Sequence, residues 1–253
     1  MFNFLKNIFV FLTKLYQYTI QLFIDILIRN ERHTFSFQIS EVSINTYCLI
    51  ISRLLNCKPE IVYFYYSEFL SNDLLRNDYK FRFGKSLNES GGRVLLYILI
   101  RILKPKILVE NGHYKGQNSL IFVHAMNANY DNDGVASTLY SIDINSNGLV
   151  SLQNNHLIVN STIEHFFTNN LNLNVDFYFS DGERTPESEI MELYYLEKLL
   201  NSNGVIVSNK LLFSNIFLKY FFDNGYKFET FMETTTKTTF RGNYYSFCLK
   251  NKI

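Results

Sequence analysis

The chain has 253 residues, of which 47% are hydrophobic, and its formal net charge is +1. This composition predicts one large core with an appendage, and it excludes the basic footprint typical of nucleic-acid-binding proteins. Three scattered cysteines and five histidines without HxxxH or HExxH spacing argue against a disulfide framework and a zinc site, and favour a reducing, cytoplasmic environment.

Residues 1–30 predict an amphipathic apolar helix. The first 28 are mostly apolar, but Lys6, Lys14, Gln21 and Asp25 belong to a set of polar residues that recurs along one narrow helical stripe. A membrane-spanning helix needs about 20 mostly apolar residues without such regular interruption, and no signal-peptide cleavage site is evident. Two interpretations stay open: the helix lies on a membrane surface, or it packs on the domain or on a partner subunit.

Residues 31–92 predict a helical prefix or cap. INTYCLIISRLLN is followed by a break at Lys58–Pro59 and by EIVYFYYSEFLSNDLL, and Pro59 suits the first turn of that second helix. After Gly91–Gly92, the stretch RVLLYILIRIL predicts another apolar helix that ends at Lys104–Pro105.

Residues 93–253 predict a Rossmann-like α/β domain. Apolar strands, among them KILVE, STLYSIDIN, NHLIVNS, VDFYFSDG and GVIVSN, alternate with amphipathic helices. Such alternation indicates βαβ units and a mostly parallel sheet flanked by helices. The last segment, YKFETFMETTTKTTFRGNYYSFCLK, predicts two strands with little helix between them, and therefore an antiparallel C-terminal pair.

Candidate binding residues follow the first two strands. Glu110 ends the first strand, Gly112 and Gly116 shape the loop after it, and Ser119 is placed to cap the next helix. A strand, a glycine turn and a helix N-terminus together make a nucleotide site. An acid at the end of the second strand, here Asp143, usually binds ribose hydroxyls. The alternative is an ordinary βα turn with a surface aspartate.

Further acids follow a later strand in VDFYFSDGERTPESE. Asp181 comes directly after that strand, and Glu183 lies two positions on. Acids at strand ends beside a cofactor bind metal, act as a general base or cap the next helix. His113, in the first loop, either faces a second substrate or is solvated. The other histidines considered are predicted to be surface or helix-face residues: His124, His156 and His165.

The segment RVLLYILIRILKPKILVENGHYKGQNSL resembles the opening of class I S-adenosylmethionine-dependent methyltransferases. The resemblance is to the branch that includes macrocin O-methyltransferase-like and cephalosporin-hydroxylase-like proteins. There the first strand and turn have the pattern V-E-x-G-x-x-x-G-x-S-S. The fourth strand, D-L-x-x-x-D-x-x-H-T/S-Y, precedes an acidic helix, P-G-G and V-x-x-x-D-D. This chain has VDFYFSDGERTPESEIMELYYLEKLLNSNGVIVSNK in that order.

The resemblance implies that S-adenosyl-L-methionine is the cofactor and that a sugar or small secondary metabolite, as a small-molecule or glycan acceptor, is O-methylated. Such a transfer needs positioning and a base for the acceptor proton. The implied cofactor-binding residues, from the methionine part through the ribose to the adenine, are Glu110, Gly112, Gly116, Ser119, Asp143, Asn160 and Ser161.

Three departures from the family pattern concern catalysis. Arg184 replaces the family histidine, Pro186 replaces its tyrosine, and Asn209–Lys210 replaces its acidic pair. Mg²⁺ prefers carboxylate oxygens and Lys210 would repel it, so no metal is predicted. Either Lys210 or Arg184 supplies the missing positive charge, or catalysis has decayed while cofactor binding survives. The candidate catalytic residues are Asp181, Glu183 and Lys210.

Two other functions compete with this hypothesis. One is a catalytically degenerate cofactor-binding or membrane-associated partner protein, favoured by the three departures and the apolar N-terminus. The other is an NAD(P)-dependent oxidoreductase, although the first turn lacks the close G-x-G spacing of dinucleotide sites. No nucleic-acid partner is predicted, and homo-oligomer formation is left open.

Overall fold

The computed structural model describes residues 16, 38–145, 151–183, 185–210, 214–234 and 244–252. The amphipathic helix predicted for residues 1–30 therefore lies, apart from residue 16, outside the described residues, and so does Arg184. Among the helices that the structure does describe, none is both long enough and apolar enough to cross a bilayer.

Within the described residues, four α-helices precede the first strand. Ser40 caps the first of them, and Pro59 occupies the first turn of the second, as the sequence predicts. The stretch predicted as one helix from Glu60 to Leu75 is divided at Asn72, whose side chain accepts a hydrogen bond from the backbone of Leu75 and so starts a third helix. The helices are α1 (Glu41–Leu55), α2 (Pro59–Ser71), α3 (Asp73–Phe83) and α4 (Arg93–Leu103).

One seven-stranded sheet forms the centre, with the strand order β3-β2-β1-β4-β5-β7-β6. Strands β1 to β5 pair in parallel, whereas β7 is antiparallel to both of its neighbours. The predicted fold class, including the antiparallel C-terminal pair, is confirmed. The strands are β1 (Ile107–Asn111), β2 (Thr138–Asp143), β3 (His156–Asn160), β4 (Val175–Ser180), β5 (Leu200–Ser208), β6 (Tyr226–Met232) and β7 (Tyr244–Lys252).

In the described part of the chain, four helices connect the strands. The first three were predicted, but the fourth, with the sequence IFLKYFFD, was not among the predicted elements. These helices are α5 (Gln117–Asp133), α6 (Ile163–Asn169), α7 (Pro186–Leu199) and α8 (Ile216–Asp223).

Alternate strand residues belong to the two faces of the sheet, because side chains of a strand alternate in direction. Leu108, for example, packs in the cluster that includes α1 to α5, whereas Val109 packs in the cluster that includes α6 to α8. The helical prefix thus shares a hydrophobic core with the sheet. Helix α4 is buried from Arg93 to Arg101, as expected of a helix that is apolar nearly all round.

The connections from β1 and β4 run in opposite directions across the sheet. Helix α5 carries the chain from β1 to β2 on one face, and α7 carries it from β4 to β5 on the other. The carboxyl ends of the adjacent strands β1 and β4 therefore form a topological switch point, where open α/β sheets bind their ligands.

Candidate functional site

The loops after β1 and β4 touch each other at the switch point. Gly112 has φ +94°, and a Cβ there would lie 2.6 Å from the backbone carbonyl of Asp181 and 2.7 Å from the nitrogen of Gly182. The backbone N–H of Asp181 donates to the carbonyl of Asn111 at 2.9 Å. The glycine is thus required for the close approach of a second loop, a role that the sequence alone does not reveal.

Glu110 is completely buried beneath this loop. Its Oε2 accepts hydrogen bonds from the hydroxyls of Ser119 and Ser141, and Oε1 has no hydrogen-bond partner among the described residues. Ser119 does not cap α5, contrary to the prediction: the N-cap is Gly116, and no side chain caps that helix. Ser119 is instead turned inward, against the carboxylate of Glu110.

Two histidines complete this buried polar cluster. His113 and His156 are 4% and 1% exposed, with ring centroids 5.6 Å apart. Nε2 of His156 lies 3.0 Å from the hydroxyl of Ser141. The predictions of a solvated His113 and of a surface His156 are therefore wrong, whereas His165 is exposed as predicted. The alternative that His113 faces an acceptor stays a prediction. The pKa of His156 is lowered to about 4, mainly by burial. The charge of Glu110 raises this pKa by a smaller amount, and His113 contributes to lowering it.

This depressed pKa predicts a loss of stability in mild acid. In the unfolded chain His156 takes up its proton near pH 6.5, whereas in the folded protein it does so only near pH 4. Between these values the unfolded state binds more protons, so the free energy of unfolding falls as the pH falls, by roughly 3 kcal/mol in total. Urea denaturation at a series of pH values measures the slope. If a His156→Asn variant showed the same slope of unfolding free energy against pH as the wild type between pH 6.5 and 4, the loss of stability would have to come from other groups.

The predicted ribose and adenine residues lie side by side at the ends of β2 and β3. Asp143 is half-buried, and its carboxylate accepts from the backbone N–H of Tyr114 at 2.8 Å and of Asn145 at 2.9 Å. Asn160 is exposed, and the half-buried Ser161 donates its N–H to the carbonyl of Asp143 at 3.2 Å. Asp143 thus links the loop after β1 to the loop after β2.

Asp181 directly follows β4, and its carboxylate lies beside the first turn of α5. Its carboxylate accepts from the side-chain amide of Asn118 at 3.4 Å and from that of Asn209 at 3.3 Å. It is half-buried, whereas Glu183 is exposed. The half-buried carboxylate of Asp181 is therefore held by one amide from the first turn of α5 and by another from the loop after β5.

Glu192, a fully buried residue of α7, is not among the residues predicted from the sequence. Its carboxylate accepts from Asn111 at 2.9 Å, from Ser180 at 2.6 Å and from the ammonium of Lys210 at 2.6 Å. The hydroxyls of Tyr178 and Ser188 also donate to it, at 2.8 and 3.3 Å. An acid on the apolar face of an amphipathic helix is the signal that could have identified it.

Lys210, predicted as a catalytic residue, is 1% exposed and forms a buried ion pair with Glu192. One helical turn from Glu192, Glu189 is also fully buried, and neither of its oxygens makes a hydrogen bond of good geometry. Burial raises the pKa of Glu189, and the Glu192 carboxylate adds to this, while Ser214 and Lys210 act in the opposite direction. Lys210 therefore pairs with Glu192 and affects Glu189 only through its charge.

A metal site is not evident in the described segments, since they contain no group of three or more His, Cys, Asp or Glu side chains that could hold an ion.

No protein-family model matches the sequence, and no curated protein is significantly similar to it. Solved structures do resemble the fold. A "putative O-methyltransferase" from Klebsiella pneumoniae superposes with a TM-score of 0.50 at 10% identity, over 63% of this chain and 79% of that one. A methyltransferase from Geobacter sulfurreducens gives 0.44 at 18% identity, over 63% and 78%. The chain therefore has the Rossmann-like fold of class I methyltransferases, and the likeness extends to the fold alone.

Proposed function

We propose that the protein is an S-adenosylmethionine-dependent methyltransferase that methylates a hydroxyl of a sugar or small secondary metabolite, as the sequence resemblance implies. One observation carries the proposal. At the switch point, acids at or directly after the ends of β1, β2 and β4 surround the N-terminus of α5, whose first turn has no side-chain cap. The sheet that holds them includes the antiparallel β7, between β5 and the edge strand β6, which accompanies the methyltransferase fold.

The residues present fit this cofactor at three points. The partnerless Oε1 of Glu110 suits an ammonium group, because a buried carboxylate oxygen without a donor is costly. The uncapped end of α5 at Gly116 suits a carboxylate, since its free N–H groups and the helix dipole favour negative charge. Asp143 suits ribose hydroxyls, because its half-buried carboxylate lies at the end of β2, where the backbone N–H groups of Tyr114 and Asn145 orient it.

When bound, S-adenosylmethionine supplies an electrophilic methyl group on its sulfonium. The chain must then orient the acceptor hydroxyl and take its proton. Asp181 is the best-placed base, because two asparagine amides orient its half-buried carboxylate at the switch point. Glu183 follows on the same loop and is exposed, so we assign it to the acceptor side. Lys210 acts through the residue that it pairs with, Glu192.

The two competing functions fit less well. A dinucleotide site needs glycines spaced closely enough for a pyrophosphate to approach the helix, whereas Gly112 and Gly116 are four positions apart. The sheet of dinucleotide-binding proteins also continues in parallel, whereas β7 of this chain is antiparallel to β5. A degenerate partner protein would bind the cofactor without turnover. Release of S-adenosylhomocysteine from S-adenosylmethionine, assayed with a panel of sugars and phenolic alcohols, separates it from an enzyme.

The proposal predicts that Asp143→Asn weakens binding of S-adenosylhomocysteine by about 10- to 100-fold, since a hydrogen bond to a charged group is worth about 1.5–3 kcal/mol. Asp176→Asn is a matched control. Asp176 also accepts from two backbone N–H groups, of Lys106 and Ile107, but at the opposite end of the sheet. We expect the control to bind with wild-type affinity. Titration calorimetry that shows equal affinities for both variants would reject the assignment of Asp143.

A further inference from the structure

We propose that Glu192 is a positioning residue of this site, and that Lys210 is its internal counter-ion rather than a group presented to the ligand. The inference rests on the proposed function, because the site that Glu192 positions is the candidate cofactor and methyl-transfer site.

The carboxylate of Glu192 joins the ends of three strands. Asn111 is the last residue of β1, Ser180 is the last residue of β4, and Lys210 follows β5 by two positions. All three donate to this one carboxylate, at distances of 2.6 to 2.9 Å. A single side chain of α7 therefore ties together the three loops that surround the switch point.

Each of these donors is the direct neighbour of a residue that forms the site. Asn111 precedes Gly112, Ser180 precedes Asp181, and Lys210 follows Asn209. These neighbours also contact one another: Asp181 accepts from Asn209, and its backbone packs against Gly112. Moving the Glu192 carboxylate would thus shift the Asp181 carboxylate relative to the first turn of α5.

The burial of the pair explains why Lys210 does not face a ligand. The side chains of Lys210 and Glu192 are 1% and 0% exposed, and the ammonium lies 2.6 Å from Glu192 Oε1. A buried carboxylate with one cation and several neutral donors has a fixed geometry, because leaving any of these groups unpaired is costly. The pair thereby holds the loops in one arrangement.

Glu192→Gln keeps the shape of the side chain and removes its charge, and Glu187→Gln on the exposed side of α7 is the matched control. We expect Glu192→Gln to weaken binding of S-adenosylhomocysteine at least tenfold in calorimetry, and to speed hydrogen exchange of the Gly112 and Asp181 amides more than that of β7 amides. The control should change neither. Wild-type affinity in a folded Glu192→Gln protein, or faster exchange by the same factor in all strands, would overturn the proposal.

A second variant, Glu192→Met with Lys210→Met, removes both charges together. Replacing a buried ion pair by apolar side chains of similar size is often neutral for stability, but here the buried neutral donors Asn111, Tyr178 and Ser180 also lose their acceptor. We expect this variant to melt below the wild type and, while it is folded, to bind S-adenosylhomocysteine at least tenfold more weakly and to show the same local exchange. Wild-type binding and exchange in it would reject the positioning role. If the wild-type protein itself does not bind S-adenosylhomocysteine, the proposed function fails. The hydrogen-exchange measurements still test whether Glu192 holds the loops in place.

Discussion

Lys210→Met is expected to lower the free energy of unfolding by about 3–5 kcal/mol, because removing one partner of a buried ion pair leaves the other charge uncompensated. The ammonium is 1% exposed, so water cannot replace it. The four neutral donors that remain on Glu192 place the expected loss at the lower end of that range. Urea denaturation followed by circular dichroism measures the change.

The matched control for this variant is Lys219→Met. Lys219 also pairs with an acid at 2.6 Å, Asp223, but its side chain is 71% exposed. Exposed pairs contribute about 0–1 kcal/mol, so the control should unfold almost as the wild type does. A Lys210→Met protein that lost no more stability than the control would show that the buried pair does not exist in solution.

Gly112→Ala is expected to destabilise the protein by about 2–5 kcal/mol. The positive φ costs roughly 1–2 kcal/mol for a residue with a side chain, and the added methyl group would press on the backbone of Asp181 and Gly182, which adds about 1–3 kcal/mol of overpacking. Because the displaced segment carries Asp181, affinity for S-adenosylhomocysteine should fall as well.

Gly134→Ala isolates the two contributions. Gly134 has φ +70°, but a Cβ there would meet no atom within 4 Å. It should therefore cost only the backbone term, and the difference between the two variants measures the contact between the loops. Equal destabilisation by Gly112→Ala and Gly134→Ala in thermal and urea unfolding would contradict the packing of the β1 loop on the β4 loop.

Much of the fold follows from local sequence patterns. The alternation of short apolar strands with amphipathic helices predicts the parallel sheet, and the lack of a helix between the last two strands predicts their antiparallel pairing. The helix break at Asn72 and the short helix Ile216–Asp223 were missed. Asn72 acts as a cap only because its side chain bonds to the next turn, and the last helix is too short to show a clear period.

The site was predictable where it depends on strand ends. Glu110 is the penultimate residue of β1 and Asp143 is the last residue of β2. These strands are parallel neighbours, so the proximity of the two acids follows from topology. The pairing of Glu192 with Lys210 and the burial of His156 depend instead on contacts between elements distant in the chain. From the sequence alone, these polar side chains are expected to be solvent-exposed, because the buried groups that form hydrogen bonds with them lie on distant segments of the chain.

The central claim, that the switch point binds S-adenosylmethionine rather than a nicotinamide cofactor, is tested most directly by calorimetric titration of the full-length protein with S-adenosylhomocysteine and, separately, with NADH and NADPH. We predict one S-adenosylhomocysteine bound per chain, lost or weakened in Asp143→Asn, and no heat of binding with either nicotinamide cofactor. Binding of NADH or NADPH without binding of S-adenosylhomocysteine, or no binding of any of the three, would contradict the account.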